Sequence, residues 1–150
     1  MQSHHQIQIQ IQELIDAGRL ERVHFDPKDF QRQVAVCFKC RADALAMLEI
    51  GSLHGAFTIA YTFMRKAASL LLSHQEVRPT ARGGHRVIAE ALKFEPQLSL
   101  RLCSDYDDLR VMRNEIEYST SELQYADHRH VNLSIEIGDQ LLAIAQSISS

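Results

Sequence analysis

Two groups of residues in this sequence have the types and spacing that could do chemistry. The first is Leu109-Arg110-Val111-Met112-Arg113-Asn114-Glu115-Ile116-Glu117-Tyr118, which sets an arginine among the apolar residues of a predicted helix. Projected at about 100° per residue, Leu98, Leu102, Leu109, Met112 and Ile116 form one stripe, and Arg113 falls roughly 40° from its centre. A guanidinium placed there must meet an acid, a carbonyl or a bound anion, because an unpaired buried charge costs several kcal/mol. Glu117, one turn on, could form a purely structural pair with it. The alternative is that Arg113 holds a bound anion.

The second group is Arg78-Pro79-Thr80-Ala81-Arg82-Gly83-Gly84-His85-Arg86. It gathers three arginines and a histidine around two glycines at a helix start, where free amides and the positive end of the helix dipole favour an anion. Arg78, Arg82, Gly83, Gly84, His85 and Arg86 are therefore candidate phosphate contacts; the plain alternative is a turn made by the glycines. No strand is predicted before them, so they form neither a Walker loop nor a dinucleotide fingerprint.

Other patterns are weaker. Cys37-Phe38-Lys39-Cys40 has CxxC spacing, but no βαβ context for redox chemistry and no second half for zinc, so these are expected to be structural thiols. His4-His5 and His128-Arg129-His130 lack the acid and further ligand of a metal site. No metal or cofactor is expected. Asp105, Asp107 and Asp108 precede Arg110 and Arg113, which complements the helix dipole; Asp105 shares a face with Leu109 and could pair with a base across a cleft.

At 150 residues, 45% hydrophobic and 23% charged, the chain is expected to be one globular domain with a core of its own. A formal charge of −3 provides no global field for nucleic acid, so any RNA contact must rest on a local basic cluster, and DNA is not an expected partner. No apolar run approaches ~18 residues and no export signal is visible, which predicts a soluble, cytoplasmic protein without membrane contact, its three cysteines reduced.

The elements that must position the two groups are helical. Gln6 to Gln12 alternates Ile and Gln as a strand would, but the continuation to Gly18 reads as a helix. Gly18 to Phe25 reads as a connector. Asp26 and Pro27 then open a long helix whose apolar set is Phe30, Val34, Cys37, Phe38, Leu45 and Leu48, with Gly51-Ser52 as stop and new cap. A second long helix, Leu53 to Leu72, follows as its antiparallel neighbour. Beyond the glycine loop come a short helix from about His85 to Lys93, the motif helix from about Leu98 to Tyr118, a connection over 119–126, and a last helix capped by Asp127. Its inward face is Val131, Ile135, Leu142, Ala145 and Ile148, and Gly138 is a weak point. The expectation is an all-α, up-and-down bundle of four to five helices with an additional short helix after the Gly-Gly loop. Residues 1–25 form an amino-terminal helical extension and residues 26–150 the bundle.

Taken together, Arg113-Asn114-Glu115-Ile116-Glu117-Tyr118, Ala60-Tyr61 with Arg65-Lys66-Ala67, and the Arg78 to His85 loop resemble the HEPN superfamily (higher eukaryotes and prokaryotes nucleotide-binding). The chain looks closest to small single-domain bacterial members that carry an Arg-Pro-Thr...Gly-Gly-His loop, and the resemblance covers roughly Asp26 to Ser147. It implies a homodimer whose motif helices flank a cleft between subunits. In ribonuclease members an Arg-x(4-6)-His motif cleaves RNA without metal, the arginine holding the phosphate and the histidine helping to activate the 2′-hydroxyl. Arg113 matches that arginine and Asn114 the polar residue after it, but Tyr118 stands where the histidine belongs. With a reference pKa near 10, a tyrosine is ionised only to roughly one part in a thousand at pH 7, so Tyr118 is a poor base and a good phosphate donor. The resemblance thus points to binding of a nucleotide, RNA or partner protein in the cleft with a degenerate ribonuclease motif. The alternatives are an active ribonuclease, of the toxin class in a toxin–antitoxin pair, with His85, His128 or His130 as base, or a regulatory partner of a nucleotidyltransferase.

Overall fold

Helix α3 (Leu53–Ser73) organises the molecule because its apolar residues are not confined to one stripe. Ala56, Phe57, Ala60, Tyr61, Phe63, Met64, Ala67, Ala68 and Leu70 to Leu72 are all buried, and a helix apolar on nearly every side must sit inside. In the computed structural model, which describes residues 3–118 and 126–149, α3 lies between α2 (Pro27–Glu49) and α6 (His128–Ser149) and touches α4 (Gly84–Leu92) and α5 (Leu100–Tyr118). The side chains of Tyr118 and Ser149 and the connection at 119–125 lie outside the described residues. The fold is an all-α helical bundle with one small sheet.

The caps follow the sequence. Asp26 accepts the Lys28 amide at 3.0 Å with Pro27 at the first helical position, and Asp127 Oδ1 accepts the His130 amide at 3.1 Å. Helix α1 (His4–Asp16) opens with a reciprocal Ser3–Gln6 capping box. Its Ile-Gln alternation resolves in the helical sense: Ile7 and Ile11, one turn apart, are buried in the core, while Ile9 between them is 47% exposed. Residues 3–25 thus fold onto the bundle.

Several expectations need correction. Gly18 to Phe25 is more than a connector, since strand β1 (Leu20–Arg22) pairs antiparallel with β2 (Val77–Pro79), Glu21 opposite Arg78. A strand therefore does precede the glycine loop, although it has only three residues. Helix α4 begins at Gly84 and ends at Leu92, and α5 begins at Leu100. Phe38 and Leu45 on α2 and Ile148 on α6 face outward, because α2 and α6 pack on α3 through narrower faces than the apolar periodicity implied. Gly138 is a packing requirement, with the Phe63 ring 2.4 Å from where a Cβ would stand. Cys37, Cys40 and Cys103 are free thiols, and burial pushes the Cys37 thiol up to about 11.

Candidate anion site

Residues one turn apart on three helices meet at one ring. On α5, Tyr106, Arg110, Arg113 and Glu117 recur at intervals of four, three and four and so share a face; on α3, Tyr61, Arg65 and Ser69 do the same. The short helix α4 adds His85 from its first turn. The Tyr61 hydroxyl lies 3.4 Å from His85 Nδ1, with ring centroids 6.0 Å apart, and Arg113 Cζ lies 5.9 Å from the centroid of the same ring. Arg110, nearly buried, donates through Nε to Asp107 at 2.8 Å.

Arg113 makes the structural pair foreseen for it, with Glu117. That pair engages Nη1 and leaves Nε buried without a hydrogen-bond partner among the described residues; the hydroxyl of the fully buried Tyr106 is in the same state. Buried donors are rarely left unmet, and each orphan costs about 1–3 kcal/mol. Arg65 has no carboxylate within ion-pair distance among the described residues. This corner of the bundle is therefore richer in donors than in acceptors.

The field follows from that excess. His85 is exposed as a residue, yet partial burial of its ring lowers its pKa below the ordinary 6.5, and Arg65, Arg113 and Arg110 lower it further. Its neutral form is favoured at neutral pH, where an imidazole can accept a proton. Burial raises the Tyr61 pKa, opposed by the same three arginines, and raises that of Tyr106 well above the usual tyrosine value. Both phenols stay protonated as donors. Beside His85 a hollow of about 400 Å³ opens between Arg65, Ser69, Thr80 and Ile88.

The glycine loop contributes less than its composition promised. Arg78 Nε donates to Glu21 at 2.7 Å across the sheet, Arg86 lies 3.4 Å from Glu90, and Arg82 rests beside Gly18. The Gly83 amide donates to Thr80 Oγ1 at 3.1 Å and the Gly84 amide to the Thr80 carbonyl at 3.0 Å, so neither is free for a phosphate. A Cβ on Gly83 would stand 2.0 Å from the Arg19 carbonyl oxygen, and Gly84 has φ +55°. The glycines permit a close approach and a left-handed turn, and of the loop residues only His85 reaches Arg113's surroundings.

Asn114 is exposed on the solvent side of α5, and the Tyr118 side chain lies outside the described residues. Of the alternative histidines, His128 is exposed, and His130 turns its ring to Asp127 and Phe57 at the start of α6. Sequence reasoning missed Tyr106 entirely, read Arg110 only as a dipole complement, and used Arg65 only for a resemblance. The repeated Tyr-x-x-x-Arg spacing of Tyr61/Arg65 and Tyr106/Arg110 is the signal that could have found them. Donors from two helices and a neutral imidazole can hold a phosphate and move a proton. The chain matches no family model, no curated protein and no solved structure.

Proposed function

We propose that Arg65, Arg110 and Arg113 hold the phosphate of an RNA strand or a nucleotide, in a protein of HEPN type. The observation that carries this reading is the convergence of His85 and Arg113 on the single ring of Tyr61. Their proximity to one ring supports reading His85 as a stand-in for the histidine that the linear motif, with Tyr118 in its place, lacks. The excess of donors supports it, because an anion would meet groups that the chain leaves unmet. A homodimer enclosing the site in a cleft belongs to the same proposal; partnership with a nucleotidyltransferase is an alternative to it.

His85 favours a second reading, metal-independent cleavage. With Nδ1–H directed at the Tyr61 oxygen, Nε2 carries the lone pair and takes the proton of a ribose 2′-hydroxyl. The 2′-oxygen then attacks phosphorus, the bond from phosphorus to the 5′-oxygen breaks, and that oxygen leaves with a proton from water or a phenol. The products are a 2′,3′-cyclic phosphate and a free 5′-hydroxyl.

The test is single-stranded RNA with excess chelator, measured for binding and for cleavage. Binding that weakens with salt and is lost in Arg113→Ala is expected. His85→Gln should keep the affinity and abolish any cleavage, and wild-type cleavage should decline as pH falls through the lowered His85 pKa. If RNA is bound but left intact, the degenerate-motif reading stands, and Tyr118→His is expected to install a base. Absence of binding to both RNA and nucleotides would sink the proposal, and a strictly monomeric mass by light scattering would remove the composite cleft.

A further inference from the structure

The stripe Tyr61, Arg65, Ser69 does not end at the anion site. Arg65, Ser69 and Arg78 also wall a second hollow, of about 260 Å³, on the other side of Arg65, so the two hollows are adjacent along α3. The far wall of this second hollow has a different chemistry. Phe25 and Phe30 form part of it, with centroids 5.6 Å apart and both rings about 5 Å from His74. Phe25 is only half-buried and Phe30 is buried, so an aromatic surface is held rigidly at the edge of the cavity. The carboxylates of Asp26, the N-cap of α2, and Asp29 and the amide of Gln33 on its first two turns line the same hollow.

We propose that this second hollow is a nucleobase subsite, taking the base of a nucleotide whose phosphate rests on Arg65, and that it prefers guanine. The proposal rests on the phosphate reading above and names what lies beside the phosphate. Arg65 and Ser69 are one turn apart, about 5–6 Å along the helix, which is the reach of a ribose between its phosphate and its base. The volume is just below the ~300–1,000 Å³ of small-molecule pockets, which suits one base with its sugar and excludes a dinucleotide. A half-exposed phenylalanine backed by two further rings is a stacking platform. The carboxylates choose among bases by their need for donors. Asp26 Oδ1 caps Lys28, and Asp29 is 3.5 Å from the exposed Arg32, so oxygens of both remain open to a ligand. Guanine presents two adjacent N–H donors on its pairing edge, which match one carboxylate; adenine and cytosine present a single amino group there, and uracil a single ring N–H.

Isothermal titration separates this inference from the reading beneath it, with GMP, UMP, guanosine and inorganic phosphate as four probes. GMP is expected to bind at least ~tenfold more tightly than UMP and than inorganic phosphate. Asp29→Asn, on the exposed rim of α2, should remove the preference for GMP over UMP while leaving phosphate affinity unchanged. Phe25→Leu should weaken GMP and guanosine alike, and Arg65→Ala should weaken GMP and phosphate but not guanosine. If phosphate binds and GMP gains nothing over it, the base subsite is overturned and the phosphate site stands. If guanosine binds and phosphate does not, the hollow is confirmed and the phosphate site falls. Binding of none of the four overturns both. Equal affinities for GMP and UMP that Asp29→Asn leaves unaltered would refute the guanine preference.

Discussion

Two regions of this molecule are rich in arginine and differ in how the charge is met. Around the β1–β2 sheet and the glycine loop, Arg19 meets Glu90 at 2.5 Å, Arg78 meets Glu21, Arg86 leans on the same Glu90, and Thr80 takes both glycine amides. Arg19, Arg78 and Arg86 each have a carboxylate there, Arg19 and Arg86 sharing Glu90, while Arg82 is exposed with no carboxylate in reach among the described residues; the loop is a clasp that fastens the amino-terminal segment to α4. Around Tyr61 the count fails to close: Arg113 and Arg110 have one carboxylate each, Arg65 has none among the described residues, and Arg113 Nε and Tyr106 OH are buried without partners. Matched charges stabilise a fold, whereas buried donors left without acceptors mark a candidate ligand site. Arginine content alone does not tell the two apart.

The comparison breaks most readily at Gly83. Gly83→Ala puts a Cβ against the Arg19 carbonyl, and rearrangement of the clasp should cost about 2–4 kcal/mol, lowering the thermal midpoint by roughly 5–15 °C. A shift under about 2 °C would mean that the clasp is not tight. Arg113→Ala should act in the other currency. With Glu117 half-exposed and able to turn to water, stability should change by no more than ~1 kcal/mol, while affinity for RNA or GMP falls at least ~tenfold. A large loss of stability with affinity retained would place Arg113 in the closed class.

Glu90→Gln gives a smaller and pH-dependent effect. Arg19, through its hydrogen bond, holds the Glu90 carboxyl below its ordinary value, so the pair's contribution is present above the unfolded pKa and is lost as pH falls through the folded one. The substitution should therefore cost about 1 kcal/mol at pH 7 and little near pH 3, measured by denaturant titration at both. The smallest effect is expected from Arg82→Ala with Arg86→Ala, whose exposed side chains should change anion affinity by less than about twofold. A larger loss would move the phosphate site back to the glycine loop.

Much of the fold was legible in order along the chain. Asp26-Pro27 and Asp127 mark helix starts because capping is a local matter of a side chain and amides a few residues away, and Gly51 marks a helix end by its left-handed φ of +81°, although the Ser52 side chain makes no capping hydrogen bond. Helix α3 was legible as an apolar-rich neighbour of α2 because the connection between them is short. Pairing of β1 with β2 was not legible, since three-residue strands lack room for a period and are joined by residues more than fifty positions apart. The outward turn of Phe38 and Leu45 was equally hidden, because periodicity shows which residues share a face and not how wide the partner is.

The candidate site divides in the same way. The sequence by itself determined that Arg113 lies on the buried side of a helix and that Glu117 can reach it, because both follow from 3.6 residues per turn. It also shows that Tyr118, with a reference pKa near 10, is a poor base at neutral pH. Only the tertiary structure decided which histidine stands near Arg113, which arginines of the loop are neutralised, and that Tyr106 and Tyr61 form the ground between them. Those facts depend on α4 docking against α3 and α5, and a contact between residues such as Tyr61 and His85 leaves no periodic trace in the chain that connects them.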